Sequence, residues 1–231
     1  YKNNIIGAHF NVLFNFLMEA RWKINPQIQV SAGAGMTHFS NGAIKMPNLG
    51  INIPTAFVAI NYSFLNYPGG TNSNADSTDS HLQKKWYRAI VVTGGVHDVY
   101  PSGGYRYKGL AVSSDYNYIF RSKRAVGPGL DLFYDETTLF KSGSDTLAEK
   151  RAINPFRGGG GVHISHYSIL SHLTLGVQFG FYIFDTYGGN GLFYHRLVLR
   201  YRFGNHVIAN VSLKTHWARA DYLEWGVGYQ F

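Results

Sequence analysis

The sequence predicts an all-β fold, an antiparallel barrel whose strands cross a membrane, and three observations predict it. Apolar and polar residues alternate with a period of two over long stretches. Strand-forming aromatics and glycine are abundant, with 16 Phe, 17 Tyr and 27 Gly against 3 Met. Clusters of Gly, Pro, Asn and Asp punctuate the chain along its length.

The first element is read from IIGAHFNVLFNFLMEARWKI, residues 5–24. Its even positions, from Ile6 through Phe14, Phe16 and Met18 to Trp22 and Ile24, are all apolar, while His9, Asn11, Asn15, Glu19, Arg21 and Lys23 stand between them. A helix would spread those apolar groups around its circumference, whereas a strand gathers them on one face. The stretch is long for a globular strand of about 5–6 residues but suits a tilted bilayer-crossing strand, which needs roughly 9–11. The second strand, 27–40, carries Ile28, Val30, Ala32, Ala34 and Met36 on one parity, and the third, 52–65, carries Ala56, Val58, Ile60 and Tyr62.

Turn signals place the next strands at 86–100, 105–120, 125–135, 156–168, 171–184 and 193–203. The tenth, 206–218, sets Val207, Ala209, Val211, Leu213 and Trp217 against Asn210, Ser212, Lys214 and His216. The eleventh, 221–231, alternates Leu223, Trp225, Val227, Tyr229 and Phe231 with Glu224, Gly226, Gly228 and Gln230. Its ending on alternating aromatics and a terminal Phe resembles the assembly signal of Gram-negative outer-membrane barrels. Trp22, Tyr62 and Trp86 sit at strand ends, as interfacial girdles require. Residues 66–85 and 136–155 read as polar loops. A water-soluble barrel would leave these apolar faces as large exposed patches. The expectation is one barrel domain over 1–231. Eleven is odd where bacterial barrels use even numbers, and residue 4 already stands inside a strand. That predicts an odd number of strands ahead of Tyr1, and 12–14 in the intact protein.

The formal charge of +8, from 21 basic and 13 acidic residues, is scattered along the chain in positions such as Arg196, Arg200 and Arg202. No patch or run of the kind nucleic acid requires is present, and an anionic lipid surface is an equally good partner. Single Arg and Lys residues read as solvated lumen or loop charges. With no cysteine, disulfide and thiol chemistry are excluded.

With the last strand running toward the periplasm, counting back makes 27–40 an outward-running strand, so the 41–51 loop lies at the cell exterior. His38 and Ser40 then continue the lipid-facing parity of Met36, and Asn52 shares that of Ala56. Polar groups on a lipid face are costly, and stand either in the headgroup zone or at a functional site. A serine nucleophile needs a base within reach, a group holding the imidazole, and donors for the oxyanion. Side chains two apart on one strand face supply the first need, and Asn52 on the neighbouring strand the second.

THFSNG at 37–42, followed by MPNLGIN at 46–52, resembles the active-site segment of the lipid A 3-O-deacylase family, the PagL type of outer-membrane acyl-ester hydrolase. The likeness covers roughly residues 28–64. It implies an eight-stranded barrel facing the outer leaflet, with lipopolysaccharide as substrate and no metal or cofactor. It further implies Ser40 as nucleophile, His38 as general base, and Asn41 with backbone amides around Gly42 as oxyanion stabilisers. The family's third catalytic group is a carboxylate, and its position falls on Asn52, which orients an imidazole but adds no charge to it. The length following the motif also departs from the family, whose motif lies near the end of a short chain. A catalytically inactive barrel acting as a structural or accessory subunit of an envelope complex, with protein partners there, is therefore the alternative.

Lys45, in the exterior loop, is placed to meet a lipid A phosphate or to be a solvated loop lysine. In HISH at 163–166 the two histidines differ in parity, which argues against a metal pair. GGGG at 158–161 lacks the Lys and helix of a phosphate loop and reads as a place where a barrel strand bends. Asp131 and Asp135 share a lumen-facing parity.

Overall fold

The computed structural model describes residues 9, 11–42, 45, 48–64, 85–98, 106–137, 158–186, 191–217 and 219–231. Of the expected loops at 66–85 and 136–155, residues 66–84 and 138–155 lie outside them, as do the first residues of the expected first strand. Among the described residues eleven antiparallel strands are present and their bounds follow the sequence alternation closely. They are β1 (Val12–Lys23), β2 (Ile28–Ser40), β3 (Ile51–Tyr62), β4 (Lys85–His97), β5 (Tyr107–Arg121), β6 (Arg124–Asp135), β7 (Gly158–Leu170), β8 (Leu173–Asp185), β9 (Phe193–Phe203), β10 (Val207–His216) and β11 (Arg219–Gln230).

The strands form two units. In the first, β1, β2 and β3 make a three-stranded meander. The β1–β2 turn is closed by the Asn25 side chain, whose Oδ1 accepts from the backbone N–H groups of Gln27 and Ile28 at 2.9 and 2.8 Å. The two-residue alternation sets the register, pairing Phe16 with Met36 and Met36 with Pro54, so the apolar parity of all three strands falls on one face. On the other face Asn15 Nδ2 donates to Thr37 Oγ1 at 2.6 Å.

In the second unit, β4 to β11 close on themselves. Closure comes from β11 pairing with β4, Val227 opposite Val92 and Tyr229 opposite Ile90. Both edges of the eight-stranded series are consumed by that ladder. The sequence expects one cylinder running through all eleven strands, whereas hydrogen bonding closes eight of them and leaves β1–β3 as a separate sheet. At one end the connections are tight: Ser122–Lys123, Ser171–His172 and Gly204–His206. At the other end three of the four are longer, running over 98–106, 136–157 and 186–192. Short turns at one rim and long loops at the other are the habit of outer-membrane barrels.

An eight-stranded barrel has an interior about wide enough for side chains to fill, and here they fill it. Ile90, Val92, Leu130, Leu132, Ile164 and Phe179 point outward and are exposed, while their neighbours in sequence point inward and are buried. The buried set holds Tyr167, Tyr194 and Gln178 together with Asp115, Asp131, Arg196, Arg200 and Glu224. The expectation of solvated lumen charges is thus replaced by a packed ionic network. Asp115 receives Arg200 Nη1 at 2.6 Å and His163 Nε2 at 2.8 Å. Asp131 receives His163 Nδ1 at 2.6 Å, the Tyr194 hydroxyl at 2.6 Å, Arg196 Nη1 at 3.0 Å and the Ser113 hydroxyl. Glu224 accepts from Ser212 at 2.7 Å and faces Arg196 Nε at 2.9 Å. Buried carboxylates need this density of partners because an unpaired charge there costs several kcal/mol. Tyr194 fits because Gly180 stands opposite it, where a Cβ would lie 2.0 Å from the ring.

Candidate functional site

His38 and Asn52 are directly opposed in the β2–β3 register. Adjacent strands put such pairs about 4.5–5.5 Å apart at Cβ, close enough for an imidazole and an amide to meet. His38 Nδ1 and Asn52 Oδ1 are 2.6 Å apart. An amide oxygen only accepts, so Nδ1 carries the proton and Nε2 presents its lone pair, the arrangement of a general base. The ring is half-buried.

Two further residues of the same segment fix this geometry. Gly50 adopts a φ of +70°, and a Cβ built on it would lie 3.0 Å from His38 Cε1 and 3.1 Å from the Phe39 carbonyl oxygen. Only glycine meets both the backbone and the space requirement. Asn48 Oδ1 accepts the backbone N–H of Asn41 at 2.9 Å, tying the chain just after β2 back onto the segment that leads into β3. The sequence segment PNLG contains both residues. The left-handed glycine is legible there as a turn signal, but its place under the imidazole is not.

Ser40 ends β2 on the His38 parity and is 4% exposed, with Asn41 fully buried beside it. Among the described hydrogen bonds none joins Ser40 to His38. Gly42 follows with φ +60°, and Lys45 is exposed. His38 and Asn52 are therefore brought into contact, and Ser40 and Asn41 are buried close along the strand.

The other candidates resolve clearly. His163 lies in the barrel interior and His166 is exposed on its outer wall, as their parity predicts. Asp131 and Asp135 do share the inner face. Asp131 is committed to the ionic network, and Asp135 accepts from His97 Nε2 at 3.2 Å and from Thr137 Oγ1 at 2.6 Å. In the glycine run, Gly161 is where the β7–β8 register shifts, and a Cβ there would crowd the Tyr194 hydroxyl at 3.0 Å.

The closed antiparallel ladder, with its apolar outer wall, defines an outer-membrane β-barrel protein. The chain belongs to the acyloxyacyl hydrolase family: residues 86–231 match the family described as acyloxyacyl hydrolase, C-terminal domain, and residues 1–61 match lipid A 3-O-deacylase (PagL). The gap between the two matches falls at the β3–β4 connection, which contains the 81–82 division between the units, while 42–46 is grouped with the second unit. Comparison with curated proteins finds no match. Among solved structures, two mutants of the Rhodopseudomonas blastica porin are similar to 96% of this chain over 91% of their own, with 11% and 10% identity and a TM-score of 0.27 each. Likeness at that level adds nothing to the fold seen in the strands themselves.

Proposed function

We propose that the protein is an outer-membrane acyl-ester hydrolase of lipid A, working through Ser40 and His38. The observation that carries this reading is the contact of 2.6 Å between His38 and Asn52 in the segment matched to lipid A 3-O-deacylase. With Nδ1–H held by Asn52, His38 Nε2 takes the proton of Ser40 as its Oγ attacks the ester carbonyl. The tetrahedral oxyanion meets the Asn41 side-chain amide and the Gly42 N–H, because the Asn41 backbone N–H is already given to Asn48. Collapse breaks the ester C–O bond, and His38 returns the proton to the leaving sugar oxygen. Water, activated by the same imidazole, then releases the fatty acid from Ser40.

The substrate in this reading is a lipid of the outer leaflet, and Lys45, exposed beyond β2, would meet one of its phosphates. The alternation of β2 and β3 puts His38 and Asn52 on the apolar face of their sheet, whereas Ser40, expected from its parity to look outward to lipid, is buried at the strand end with Asn41. Mass spectrometry of lipid A from cells making the wild type, Ser40→Ala and His38→Ala tests the proposed function. Loss of one acyl chain only with the wild type is expected, and identical spectra in all three overturn it.

One observation favours a second reading. Asn52 is neutral where the resembling family has a carboxylate, so imidazolium formation receives no charge stabilisation. An inactive barrel serving as an accessory subunit of an envelope complex would keep the fold of the segment without turnover, and identical spectra would select it.

A further inference from the structure

Charges that lie scattered in the sequence are gathered by the fold at one end of the closed barrel. At the rim of the short turns, Lys85 opens β4, Arg121 closes β5, Lys123 lies in the turn and Arg124 opens β6. Arg88 stands at the same end, where its carbonyl accepts the Phe231 N–H at 2.9 Å just past β11. These cations occupy three adjacent strands and all are exposed. Arg202, near the end of β9, adds another to the rim. Arg121 and Arg124 are direct partners in the β5–β6 register, although like charges set opposite each other destabilise a sheet. Among the described residues no aspartate or glutamate of the barrel stands at this end. Asp115, Asp131 and Glu224 lie in the interior, and Asp98, Asp135, Glu136, Asp185 and Asp221 lie toward the rim of the long connections. The interior cations Arg196 and Arg200 are each matched to a carboxylate, whereas none of the rim cations forms an ion pair among the described residues.

Cations packed within a screening length of about 10 Å repel one another, so their counter-charge comes from outside the described strands. Neighbouring aromatic rings locate its source. Trp86 stacks on Tyr116 at 4.6 Å and meets Tyr118 at 4.8 Å, and the Arg88 guanidinium lies 5.5 Å from the centre of the Tyr116 ring. Indole and phenol rings gather at the membrane–water boundary. Arginine and lysine stems lie along apolar surface while their heads reach the same boundary. Short turns face the periplasm in outer-membrane barrels, so the boundary is that of the inner leaflet. We infer that the β4–β6 end of this rim is a binding surface for anionic glycerophospholipid of the inner leaflet, its phosphates held by Arg88, Arg121, Lys123 and Arg124. Arginine suits the task because its planar fork bonds two phosphate oxygens at once. An acidic protein in the periplasm would meet Lys123 in the turn but not Arg88, which shares the outward parity of Trp86 and Ile90. The surface belongs to the second unit and involves neither Ser40 nor His38, so it goes beyond the hydrolysis proposed above.

The test reconstitutes the full chain in phosphatidylcholine bilayers with a trace of spin-labelled phosphatidylglycerol or spin-labelled phosphatidylcholine. Electron spin resonance gives the fraction of each lipid immobilised at the protein. In dilute buffer the phosphatidylglycerol is expected to associate about three-fold or more strongly than the phosphatidylcholine, since each basic residue beside an anionic lipid contributes a few-fold. That preference should fall toward equality at about 1 M salt, where the screening length is roughly 3 Å. Arg121→Gln combined with Lys123→Gln and Arg124→Gln is expected to remove most of it, and Arg88→Gln alone to lower it. Lys108→Gln, exposed near the other end of β5, is expected to leave it unchanged. Heat-dependent gel mobility reports that each variant is a folded barrel, and the salt series on the wild type tests the surface without any variant. Equal association of the two lipids with the wild type, a preference unmoved by salt, or one that survives the triple variant in a folded barrel overturns the proposal. Equal loss with Lys108→Gln overturns its placement at the short-turn rim. Hydrolysis by Ser40 is read from lipid A in cells, so failure of either proposal leaves the other standing.

Discussion

His38 Nδ1 faces Asn52 Oδ1 at 2.6 Å, the orientation a carboxylate would impose, but without its charge. In the proposed mechanism this contact leaves Nε2 as the base and gives the developing imidazolium no charge support. Loss of the acid in a serine triad costs about 10⁴ in turnover when the wrong tautomer results. Here the tautomer is held and only the charge is missing. Asn52→Glu is therefore expected to raise lipid A deacylation by at least ten-fold, and Asn52→Leu to abolish it, both read as rates of fatty-acid release in detergent. Unchanged rates in Asn52→Glu would mean that charge at this position does not limit turnover.

Gly50 supports the imidazole from below. Gly50→Ala puts a methyl 3.0 Å from His38 Cε1 and forces an alanine to φ +70°. The backbone strain alone costs of order 1–3 kcal/mol, and relief comes by moving the ring. The expected outcome is a fall in kcat of ten-fold or more with little change in KM. The eight strands β4–β11 contain neither residue, so heat-dependent gel mobility should be unaltered.

Asn48 acts on Asn41 by accepting its backbone N–H at 2.9 Å. Asn48→Asp keeps an acceptor in place, whereas Asn48→Ala leaves the amide of a fully buried residue without it, a loss of about 1–3 kcal/mol. Deacylation should survive in the aspartate variant and fall at least ten-fold in the alanine variant. Equal activity in the two would show that the turn after β2 does not depend on this bond.

What the sequence made legible was whatever alternation encodes. The two-residue period of 12–23 or 207–216 requires a strand with two unlike faces, and the strand bounds and the inward or outward sense of His163, His166, Asn210 and Lys214 followed from it. Where the ladder closes is a different kind of fact. It depends on β11 meeting β4, residues more than a hundred positions apart, and no local pattern records that partner. The same holds for the interior charges. Arg200 and Asp115 are each polar residues of lumen parity, and nothing in either strand reveals that they meet across the barrel. In the site, the His-x-Ser spacing and Asn52 were visible as side chains sharing a face. Gly50 and Asn48 were not, because their work is done through backbone conformation and a backbone amide.

The barrel interior yields the last prediction. Arg200 Nη1 meets Asp115 Oδ2 at 2.6 Å, and Arg200 Nε donates to Asn210 Oδ1 at 3.0 Å, with both charged residues buried. Removing one partner of such a pair strands the other charge, at about 3–5 kcal/mol, while replacing both with apolar groups of similar volume is often neutral. Arg200→Met alone is therefore expected to lower the urea midpoint of the barrel sharply. Arg200→Met with Asp115→Leu should recover less than all of it, because His163 and Gln178 also bond to Asp115 and would lose that acceptor. The wild type in planar bilayers should show no ion conductance, since the interior is occupied by these side chains. Steady channel openings in the wild type would contradict the packed lumen. Equal midpoints for wild type and Arg200→Met would contradict the energetic weight given to the pair.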